Sequence, residues 1–270
     1  MRVLIFGNGY IGNRLQQSCH YFMSEKRVIS VDDIISEIDK HSADVAINCI
    51  GYTGGRNVDG CEVEVERTLM ANSFIPIMFA EAAVRTGVKL VHISSGCIYH
   101  SKNGMLCEDD DPDFFDLYYS RTKIYAERAL SVMSTKNKFL IVRIRIPLDY
   151  IPHRRNLLTK LLSFNQVLDS PNSVTYLPDF AQALSYLIEI DACGIYNLVN
   201  SGELRYPDLL DIYNRYVSHQ YSIISSCADI GKVRTDLVLS TRKLEGSGFK
   251  VRDINSVLEE CVGEYLKIAA

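Results

Sequence analysis

Two reactive side chains, a hydroxyl and a thiol, stand two residues apart near the middle of the chain, at Ser95 and Cys97. They follow a largely apolar run at 90–93 that has the composition of a buried strand. In open α/β sheets, ligands bind outside the carboxyl ends of the strands. The sequence therefore predicts that Ser95 and Cys97 belong to a binding or catalytic site at that edge of a sheet.

A phenol and an ammonium group stand four residues apart, at Tyr119 and Lys123. On a helix this spacing places both side chains on the same face. A tyrosine next to a cation can act as an acid near neutral pH, because the positive charge favours the phenolate. An exposed surface pair has the same spacing, so the pair alone leaves both interpretations open.

A glycine-rich turn opens the chain, between the apolar run 3–6 and a segment with helical spacing. Its pattern is G-x-G-x-x-G, which in a strand-turn-helix context is typical of a dinucleotide-binding site. Glycines let the backbone approach a pyrophosphate closely, and the helix N-terminus favours its negative charge. A turn with a purely structural role is the alternative. The residues of the turn are Gly7, Asn8, Gly9, Tyr10, Ile11 and Gly12.

Two stretches after the turn compete for the adenosine end of such a dinucleotide. Asp32 lies about 20 residues after Gly12, the spacing at which a carboxylate binds the ribose hydroxyls of NAD. If the second strand is instead at 20–22, the loop after it presents Lys26 and Arg27, whose charges suit a 2′-phosphate. The sequence favours NADP(H), and NAD(H) stays open.

Predicted strands alternate with predicted helices through the first half of the chain. Such alternation is typical of right-handed βαβ units that build a doubly wound parallel sheet, an α/β fold. After Pro147, further prolines interrupt short elements, so we expect a dinucleotide-binding domain over 1–147 and a smaller substrate-binding lobe over 148–270, part of which returns to the sheet. The strands are expected at 3–6, 45–50, 89–93 and 139–146, and the helices at 33–40, 62–86 and 118–133.

Composition and charge exclude several classes of protein. Of the 270 residues, 47% are hydrophobic and 23% are charged, and the net charge is −4, so no basic field exists for nucleic acid or anionic lipid. No apolar run has the length of a secretory signal core or a membrane span. The eight cysteines form no C-x-x-C pair, which argues against a zinc knuckle and a disulfide framework. We expect a cytoplasmic protein with no metal, no membrane and no nucleic-acid partner.

Taken together, these motifs resemble the extended branch of the short-chain dehydrogenases and reductases. In that branch a glycine turn, a serine after a strand and a Tyr-x-x-x-Lys pair follow one another in this order on a Rossmann domain. The resemblance narrows to the nucleotide-rhamnose synthase/epimerase-reductase enzymes and dTDP-4-dehydrorhamnose reductases, and it runs nearly end to end. One departure is that the family usually has G-x-x-G-x-x-G, one residue longer than the turn in this chain. The segments that carry the resemblance to these enzymes are 48–62, 94–99, 143–147, 155–160 and 171–175.

The resemblance implies catalytic roles for five residues. In the family, the tyrosine that matches Tyr119 passes a proton to a carbonyl oxygen while the nicotinamide delivers hydride. The lysine that matches Lys123 holds the ribose and tunes the tyrosine, and Ser95 stands at the carbonyl oxygen. Positions that match Cys97 and Lys160 exchange the protons at C3 and C5 of the sugar. Because a thiol ionises about two pH units below an ammonium group, the thiol is assigned as the base and the lysine as the acid.

The resemblance also implies which residues contact the two ligands. The residues expected to contact the coenzyme include the glycine turn, Lys26 and Arg27. Later residues of the same set are Cys49, Ile50, Gly51, Thr53, Asn72, Tyr119, Lys123 and Ile146. The substrate set is Gly55, Arg56, Asn57, Ser95, Gly96, Cys97, Arg155, Asn156 and Lys160. Guanidinium groups suit the diphosphate of a sugar nucleotide.

The implied function is an NADPH-dependent 3,5-epimerase/4-reductase of a nucleoside-diphosphate 4-keto-6-deoxyhexose, which yields an NDP-L-rhamnose with UDP as the favoured nucleotide. Two rival functions keep the same fold. A reductase without epimerase activity would leave Cys97 and Lys160 idle. A non-catalytic regulatory subunit would retain only the dinucleotide. The sequence leaves a homodimer open.

Overall fold

The computed structural model describes residues 1–100, 104–134, 138–226 and 231–269. The chain forms two compact units. The first unit consists of Met1–Ile98, Pro112–Arg143 and Ser185–Tyr196. The second unit consists of Tyr99–Asp111, Ile144–Leu184 and Asn197–Ala270. The sequence placed the change of domain at 147, whereas here the chain first enters the second unit at Tyr99, returns to the first at Pro112 and enters the second again at Ile144. It rejoins the first unit over Ser185–Tyr196.

Most strands are short. Among the described residues they are β1 (Val3–Phe6), β2 (Phe22–Ser24), β3 (Val45–Asn48), β4 (Lys89–Ser95), β5 (Met105–Leu106), β6 (Leu140–Ile144), β7 (Pro147–Leu148), β8 (Gln166–Leu168), β9 (Thr175–Tyr176), β10 (Gly194–Asn197), β11 (Ser222–Ile224) and β12 (Val238–Leu239).

The helices of the described ranges are α1 (Tyr10–Cys19), α2 (Val31–His41), α3 (Val65–Leu69), α4 (Ile75–Thr86), α5 (Tyr118–Met133), α6 (Leu157–Leu161), α7 (Leu177–Glu189), α8 (Tyr206–Asn214), α9 (Arg242–Gly246) and α10 (Leu258–Ala269). Short 3₁₀ helices cover Val58–Glu62 and Asn255–Val257, and a π-helical turn covers Met70–Phe74.

The six-stranded sheet of the first unit has the strand order β2-β1-β3-β4-β6-β10. Strand β1 is parallel to β2 and β3, and β3 is parallel to β4. The predicted doubly wound α/β sheet is confirmed. The chain moves outwards from β1 to β2 and then crosses back to β3, so the winding reverses between β1 and β3. Ligands of such sheets bind outside the strand ends at this reversal.

One face of the sheet carries the main core of the first unit. Leu4, Ala46 and Leu90, from β1, β3 and β4, are buried together with side chains of α2, α4 and α5. Phe6 meets Phe79 edge to face, with ring centroids 4.9 Å apart. Because burial of one face fixes the register of the strands, this core also fixes which turns meet at the carboxyl edge.

Helix α2 begins earlier than predicted because a capping box sets its start. The Ser30 hydroxyl accepts a hydrogen bond of 3.2 Å from the Asp33 backbone nitrogen, and the Asp33 carboxylate accepts one of 3.1 Å from the Ser30 nitrogen. Ser30 is therefore the N-cap residue, and the predicted cap at Asp32 or Asp33 is wrong.

The predicted continuous helix over 62–86 is wrong in its first half. The chain there forms a 3₁₀ helix, α3 and a π-helical turn before α4 begins. Asn72 lies in the π-helical turn, and its side-chain amide bonds the backbone nitrogen and oxygen of Tyr52 at 2.7 and 2.8 Å. A π turn inserts a residue and re-aims its neighbours, here towards the end of β3. The predicted end at Gly87, with φ of +74°, is confirmed.

The second unit has its own core around short elements. Three parallel ladders pair β5 with β12, β7 with β9, and β8 with β11. Leu158 of α6, Leu209 of α8 and Leu258 of α10 are buried in one cluster. Helix α6, which carries Lys160, is thereby anchored within this unit.

No helix in the described ranges is long and apolar enough to cross a membrane. Within the same ranges, no three His, Cys, Asp or Glu side chains group as metal ligands. The seven described cysteines form no disulfide.

Candidate active site

The turn between β1 and α1 needs glycine at two positions for steric reasons. Gly7 has a φ of +101°, and a Cβ there would lie 2.8 Å from the backbone nitrogen of Ile50. A Cβ on Gly12 would lie 1.9 Å from the carbonyl oxygen of Gly7. These two glycines allow the turn to pack against the end of β3.

Gly9 has a different environment, and it is the position that fits a ligand. A Cβ on Gly9 would meet no heavy atom of the described residues within 4 Å. Gly9 is the N-cap of α1, no side chain caps the first amides of this helix, and its first turn holds no acidic residue. Open space beside uncapped amides is the arrangement that accommodates a pyrophosphate. Asn8, Tyr10 and Ile11 flank this position, so the turn fits the predicted dinucleotide.

The loop after β2 carries the two predicted cations, of which one forms an ion pair with a described residue and the other does not. Lys26 Nζ lies 3.1 Å from Asp33 Oδ1. The hydrogen bond from the Ile29 nitrogen, followed by that from Lys26, lowers the pKa of the Asp33 carboxyl to about 2. Arg27 is exposed beside them and forms no ion pair with any described residue. Arg27 is therefore the cation available to a 2′-phosphate.

Asp32 does not stand at the end of the second strand. Strand β2 ends at Ser24, two residues later than the predicted strand at 20–22, and Asp32 is exposed in the first turn of α2. Because dinucleotides bind outside the carboxyl ends of the strands, the loop with Lys26 and Arg27 is the better placed of the two stretches.

The residues after β3 face Lys123. The side chain of Asn48 fixes this turn by accepting a 2.9 Å hydrogen bond from the Ile50 nitrogen. A Cβ on Gly51 would lie 3.3 Å from Asn72 Oδ1 and 3.6 Å from Lys123 Nζ. The predicted coenzyme residue Gly51 therefore lies next to the ammonium group, and Ile50 precedes it in the turn.

The side chain of Asn72, a member of the predicted coenzyme set, has a structural role instead. Asn72 is fully buried, and its amide bonds both backbone groups of Tyr52 and the Thr122 hydroxyl, the last at 3.2 Å. The Cys49 side chain is partly exposed, and its predicted contact with the coenzyme stays a prediction; burial raises the pKa of its thiol to about 12, which keeps the thiol neutral. Asn72 shapes the loop that leads to Thr53, and the Cys49 side chain fills the space behind the glycine turn.

Ser95, Cys97 and Tyr119 come together at the carboxyl end of β4. Ser95 is the last residue of β4, and its Oγ accepts a 3.1 Å hydrogen bond from the Cys97 nitrogen. Ser120 Oγ donates a 2.6 Å hydrogen bond to the Cys97 carbonyl oxygen. Tyr119 is 7% exposed and packs in one cluster with Cys97. A hydroxyl, a thiol and a phenol thus border one region, with Gly96 between the first two.

Lys123 lies one helix turn after Tyr119 and is 4% exposed. Its Nζ donates a 3.2 Å hydrogen bond to the carbonyl oxygen of Ile93. Burial lowers the pKa of Lys123 to about 8, although the charges of Glu127 and Cys49 oppose this effect. Tyr119 and Lys123 are both buried, so the interpretation as an exposed surface pair is wrong.

The predicted substrate residues 55–57 form a tight turn before the first 3₁₀ helix. A Cβ on Gly54 would lie 1.8 Å from the carbonyl oxygen of Asn57, whereas Gly55 has open space around its Cα. The Asn57 side chain accepts a 3.0 Å hydrogen bond from the Asp59 nitrogen and so caps the helix. Arg56 is exposed, and it is the member of this turn whose charge can reach an anionic ligand.

Within the second unit, positive charges gather around the turn before α6. Burial, followed by the charges of Arg154, Arg155 and Lys160, lowers the pKa of His153. The Arg155 nitrogen donates a 3.1 Å hydrogen bond to His153 Nδ1. Three cations beside a neutral histidine form a suitable environment for a diphosphate.

The predicted substrate contact through Asn156 is wrong. Its side chain is fully buried, and Oδ1 accepts hydrogen bonds from the nitrogens of Asp149 and Leu158. Its Nδ2 donates to the carbonyl oxygens of Asp149 and Ile151 at 2.6 and 3.0 Å. All the hydrogen-bonding capacity of the amide is used. Asn156 is the N-cap of α6 and holds the helix that carries Lys160.

Ile146, between β6 and β7, has a φ of +41°. A β-branched residue in the left-handed region is strained. Such strain persists where the surrounding structure enforces it, and it occurs often at ligand-binding positions. The contact between Ile146 and the coenzyme stays a prediction.

Three residues around the site were not predicted. Glu127 and Arg143 form a buried ion pair, with Arg143 Nη2 2.7 Å from Glu127 Oε2. Glu62 Oε1 accepts a 2.5 Å hydrogen bond from the Tyr118 nitrogen and so holds the start of α5. Glu127 stands four residues after Lys123, and Arg143 interrupts an apolar strand, so both left a signal in the sequence. The long-range contact of Glu62 left none.

Comparisons with known proteins match nearly the whole chain to one family. The family described as RmlD substrate binding domain matches residues 1–265. The bifunctional dTDP-4-dehydrorhamnose 3,5-epimerase/dTDP-4-dehydrorhamnose reductase of Arabidopsis thaliana is 27% identical over 81% of this chain and 76% of its own length. A trifunctional rhamnose-forming enzyme of the same plant is 26% identical, and the match spans 80% of this chain but only 34% of that protein.

Solved structures match over the whole fold. The L780 UDP-rhamnose synthase of Acanthamoeba polyphaga mimivirus has a TM-score of 0.88 at 24% identity, and the match covers 98% of this chain and 99% of that one. The dTDP-4-dehydrorhamnose reductase of Bacillus anthracis, solved in complex with NADP, has a TM-score of 0.82 at 20% identity and covers 100% and 99%. At these identities the structures establish the fold.

Proposed function

Because the chain belongs to the RmlD substrate binding domain family, we propose that it reduces a nucleoside-diphosphate 4-keto-6-deoxyhexose with NADPH and epimerises it at C3 and C5. The product is an NDP-L-rhamnose, with UDP as the nucleotide. The observation that carries this proposal is the grouping of Ser95, Cys97 and Tyr119 at the end of β4. Reduction alone has no use for the thiol in this group.

A bound NADP(H) supplies the hydride for the carbonyl carbon. The open side of Gly9 and the amides at the start of α1 would hold its pyrophosphate. The exposed guanidinium of Arg27 would bind its 2′-phosphate. The NADP in the related Bacillus anthracis reductase supports this choice of coenzyme.

Tyr119 is the acid of the reduction. Its phenol donates a proton to the carbonyl oxygen as negative charge develops there, and the Ser95 hydroxyl donates a hydrogen bond to the same oxygen. The ammonium group of Lys123 stabilises the phenolate that remains, because an adjacent positive charge favours the charged form. The phenolate regains its proton from solvent before the next turnover.

Cys97 is the base of the epimerisation. The ketone at C4 acidifies the hydrogens at C3 and C5, and the thiolate removes such a proton from one face of the sugar. Hydrogen bonds from Ser95 and Tyr119 stabilise the resulting enolate oxygen. Lys160, assigned by the family resemblance, returns a proton to the opposite face. No electrons are exchanged, so the product of this step is an isomer of the keto sugar.

The basic turn of the second unit is assigned to the substrate diphosphate. Arg155 offers a guanidinium fork that suits phosphate oxygens, and the neighbouring charges of Arg154 and Lys160 add to its field. The choice of UDP is supported by the mimivirus structure, which bears the name UDP-rhamnose synthase and matches nearly the whole chain.

The test supplies UDP-4-keto-6-deoxyglucose and NADPH in D₂O and identifies the product by NMR. We expect UDP-L-rhamnose with deuterium at C3 and C5. A reduced sugar with its original configuration and no deuterium would overturn the epimerase half and leave the reductase. Binding of NADPH without its oxidation by any keto sugar would overturn both halves and indicate a regulatory subunit. The dTDP sugar in parallel tests the nucleotide.

A further inference from the structure

The core face of the sheet becomes polar towards the carboxyl ends of its strands. Side chains two residues apart on a strand share a face, so Asn48 lies on the face of Ala46, and Ser94 lies on that of Leu90. His92 also belongs to this face, and its Nδ1 lies 3.2 Å from Asn48 Nδ2. The apolar core beneath α5 therefore gives way to a buried polar layer next to the candidate active site.

A fully buried ion pair forms the charged part of this layer. Glu127 and Arg143 are 2% and 1% exposed. Arg143 Nε donates to Glu127 Oε1 at 3.2 Å, and Arg143 Nη2 donates to Glu127 Oε2 at 2.7 Å. The Ser94 hydroxyl donates a further hydrogen bond to Glu127 Oε1. The pair is thus bidentate and held in one orientation.

Lys123 adds a second buried cation next to this pair. It precedes Glu127 by one turn of α5, and it is buried like Arg143. The groups that face it from other elements are the Ile93 carbonyl and the neutral His92 on β4, and the Cys49 thiol after β3. None of these supplies a negative charge at neutral pH. Glu127 is the carboxylate that acts on Lys123 among the described residues.

We propose that Glu127 is a positioning residue for Lys123: its buried carboxylate, fixed by Arg143 and Ser94, keeps the ammonium of Lys123 charged one helix turn from Tyr119. The inference rests on the proposed function only in that Lys123 serves Tyr119 there. A buried cation without a nearby negative charge loses its proton easily. Glu127 neutralises Arg143 and still acts on Lys123, which leaves the three groups with one net positive charge.

The test follows the ionisation of Lys123 directly, by NMR of protein labelled with ¹³C-lysine and free of ligands. The Lys123 signal is identified by its loss in Lys123→Met. In Glu127→Gln, which keeps the shape of the side chain but removes its charge and one of its two acceptor oxygens, the midpoint should fall by at least one pH unit, a tenfold change in the ionisation constant. Glu127→Asp should stay closer to the unchanged protein than Glu127→Gln does.

A matched control removes a carboxylate of the same unit that is on the surface, whereas Glu127 is buried. Glu81 is on the surface of α4, where it pairs with Arg85 at 2.7 Å, and Glu81→Gln should leave the Lys123 midpoint unchanged. If Glu127→Gln does not fold, the double variant Glu127→Gln/Arg143→Gln takes its place, because it removes Arg143 together with its partner and leaves Lys123 as the one charged group of the three. Its midpoint should also fall, because the charge of Glu127 acts on Lys123, but by a smaller amount, because Arg143 is not left uncompensated.

An unshifted midpoint in either folded variant would overturn the inference and reduce Glu127 to a structural partner of Arg143. The outcome is independent of turnover. A shifted midpoint in a protein that oxidises no NADPH would support the positioning role and overturn the proposed function. An active enzyme with an unshifted midpoint would support the proposed function and overturn the positioning role of Glu127.

Discussion

The hydroxyl of Ser120 donates a 2.6 Å hydrogen bond to the backbone carbonyl of Cys97. Ser120 follows Tyr119 in α5, so the loop that carries the thiol is fastened to the helix that carries the phenol. The Ser95 hydroxyl holds the other end of the loop by accepting from the Cys97 nitrogen. The thiol and the phenol are thus positioned relative to each other by contacts within the protein.

The first prediction compares two glycines of the opening turn. Gly12→Ala should lose at least about 3 kcal/mol of the free energy of unfolding, because its Cβ would overlap the Gly7 carbonyl oxygen. Gly9→Ala has room for its Cβ and should lose about 1 kcal/mol or less, the cost of a poorer N-cap. Urea denaturation measures both. The space beside Gly9 is assigned to the pyrophosphate, so the added Cβ should weaken the binding of NADPH by at least about tenfold, as measured by isothermal titration calorimetry. Equal affinity would contradict the assignment of the pyrophosphate site.

Tyr119→Phe tests the acid of the reduction. Loss of the proton donor should lower kcat for NADPH oxidation by about 100-fold or more, with little change in coenzyme affinity. Tyr125→Phe, on the exposed side of the same helix, is the matched control and should retain full activity. A Tyr119→Phe enzyme with an unchanged rate would assign the proton to another group.

Cys97→Ser tests the role of the thiol. The variant should reduce a supplied UDP-4-keto-L-rhamnose at a rate within about threefold of the unchanged enzyme, because Ser95, Tyr119 and Lys123 are intact. It should incorporate no deuterium at C3 or C5 of UDP-4-keto-6-deoxyglucose. Cys107→Ser, at an exposed cysteine, is the control for both assays. Full deuterium incorporation by Cys97→Ser would remove the thiol from the mechanism.

Arg27→Ala tests the choice between the two coenzymes. Loss of a charge-assisted contact with the 2′-phosphate should raise KM for NADPH by about tenfold to 100-fold and leave KM for NADH nearly unchanged. Lys26→Ala should have the smaller effect, because Lys26 is already paired with Asp33. Equal changes in KM for the two coenzymes would show that Arg27 does not bind the 2′-phosphate.

Lys123 predicts a dependence of stability on pH. Its pKa is about 8 in the folded protein against an ordinary value of 10.5. Between these values the unfolded chain binds more protons, so the free energy of unfolding rises with pH, by about 3 kcal/mol in total. Lys123→Met should lack this term. Urea denaturation of both proteins at pH 7.5 and pH 10 measures it, and a constant difference between them would contradict the low pKa.

Local signals explain most of what the sequence predicted correctly. Helix α5 was predicted over 118–133 and spans Tyr118–Met133, because its helical spacing is uninterrupted. The glycine turn was predicted from its pattern, and the steric need at Gly7 and Gly12 explains that pattern. Ser95, Cys97 and Tyr119 meet as expected, since the end of a strand and the next helix of a βαβ unit lie at one edge.

The predictions that failed depend on contacts between distant residues. Asn72 interrupts the long helix because it bonds Tyr52, 20 residues away. Asn156 was assigned to the substrate, yet the donors of its side-chain amide both bond backbone carbonyls of the turn that precedes α6. The pairing of Glu127 with Arg143 joins a helix to a strand, and no local spacing predicts which buried charges meet.

Strand β2 lies at the edge of the six-stranded sheet, and among the described strands it pairs with β1 alone. The loop that follows it can therefore change in length or charge without disturbing any other strand pairing. Ser95 and Tyr119 stand on β4 and α5, which are separate elements of the unit. Under the proposed function, coenzyme preference is thus a property that evolution or an engineer can exchange at the periphery while the reaction chemistry stays intact.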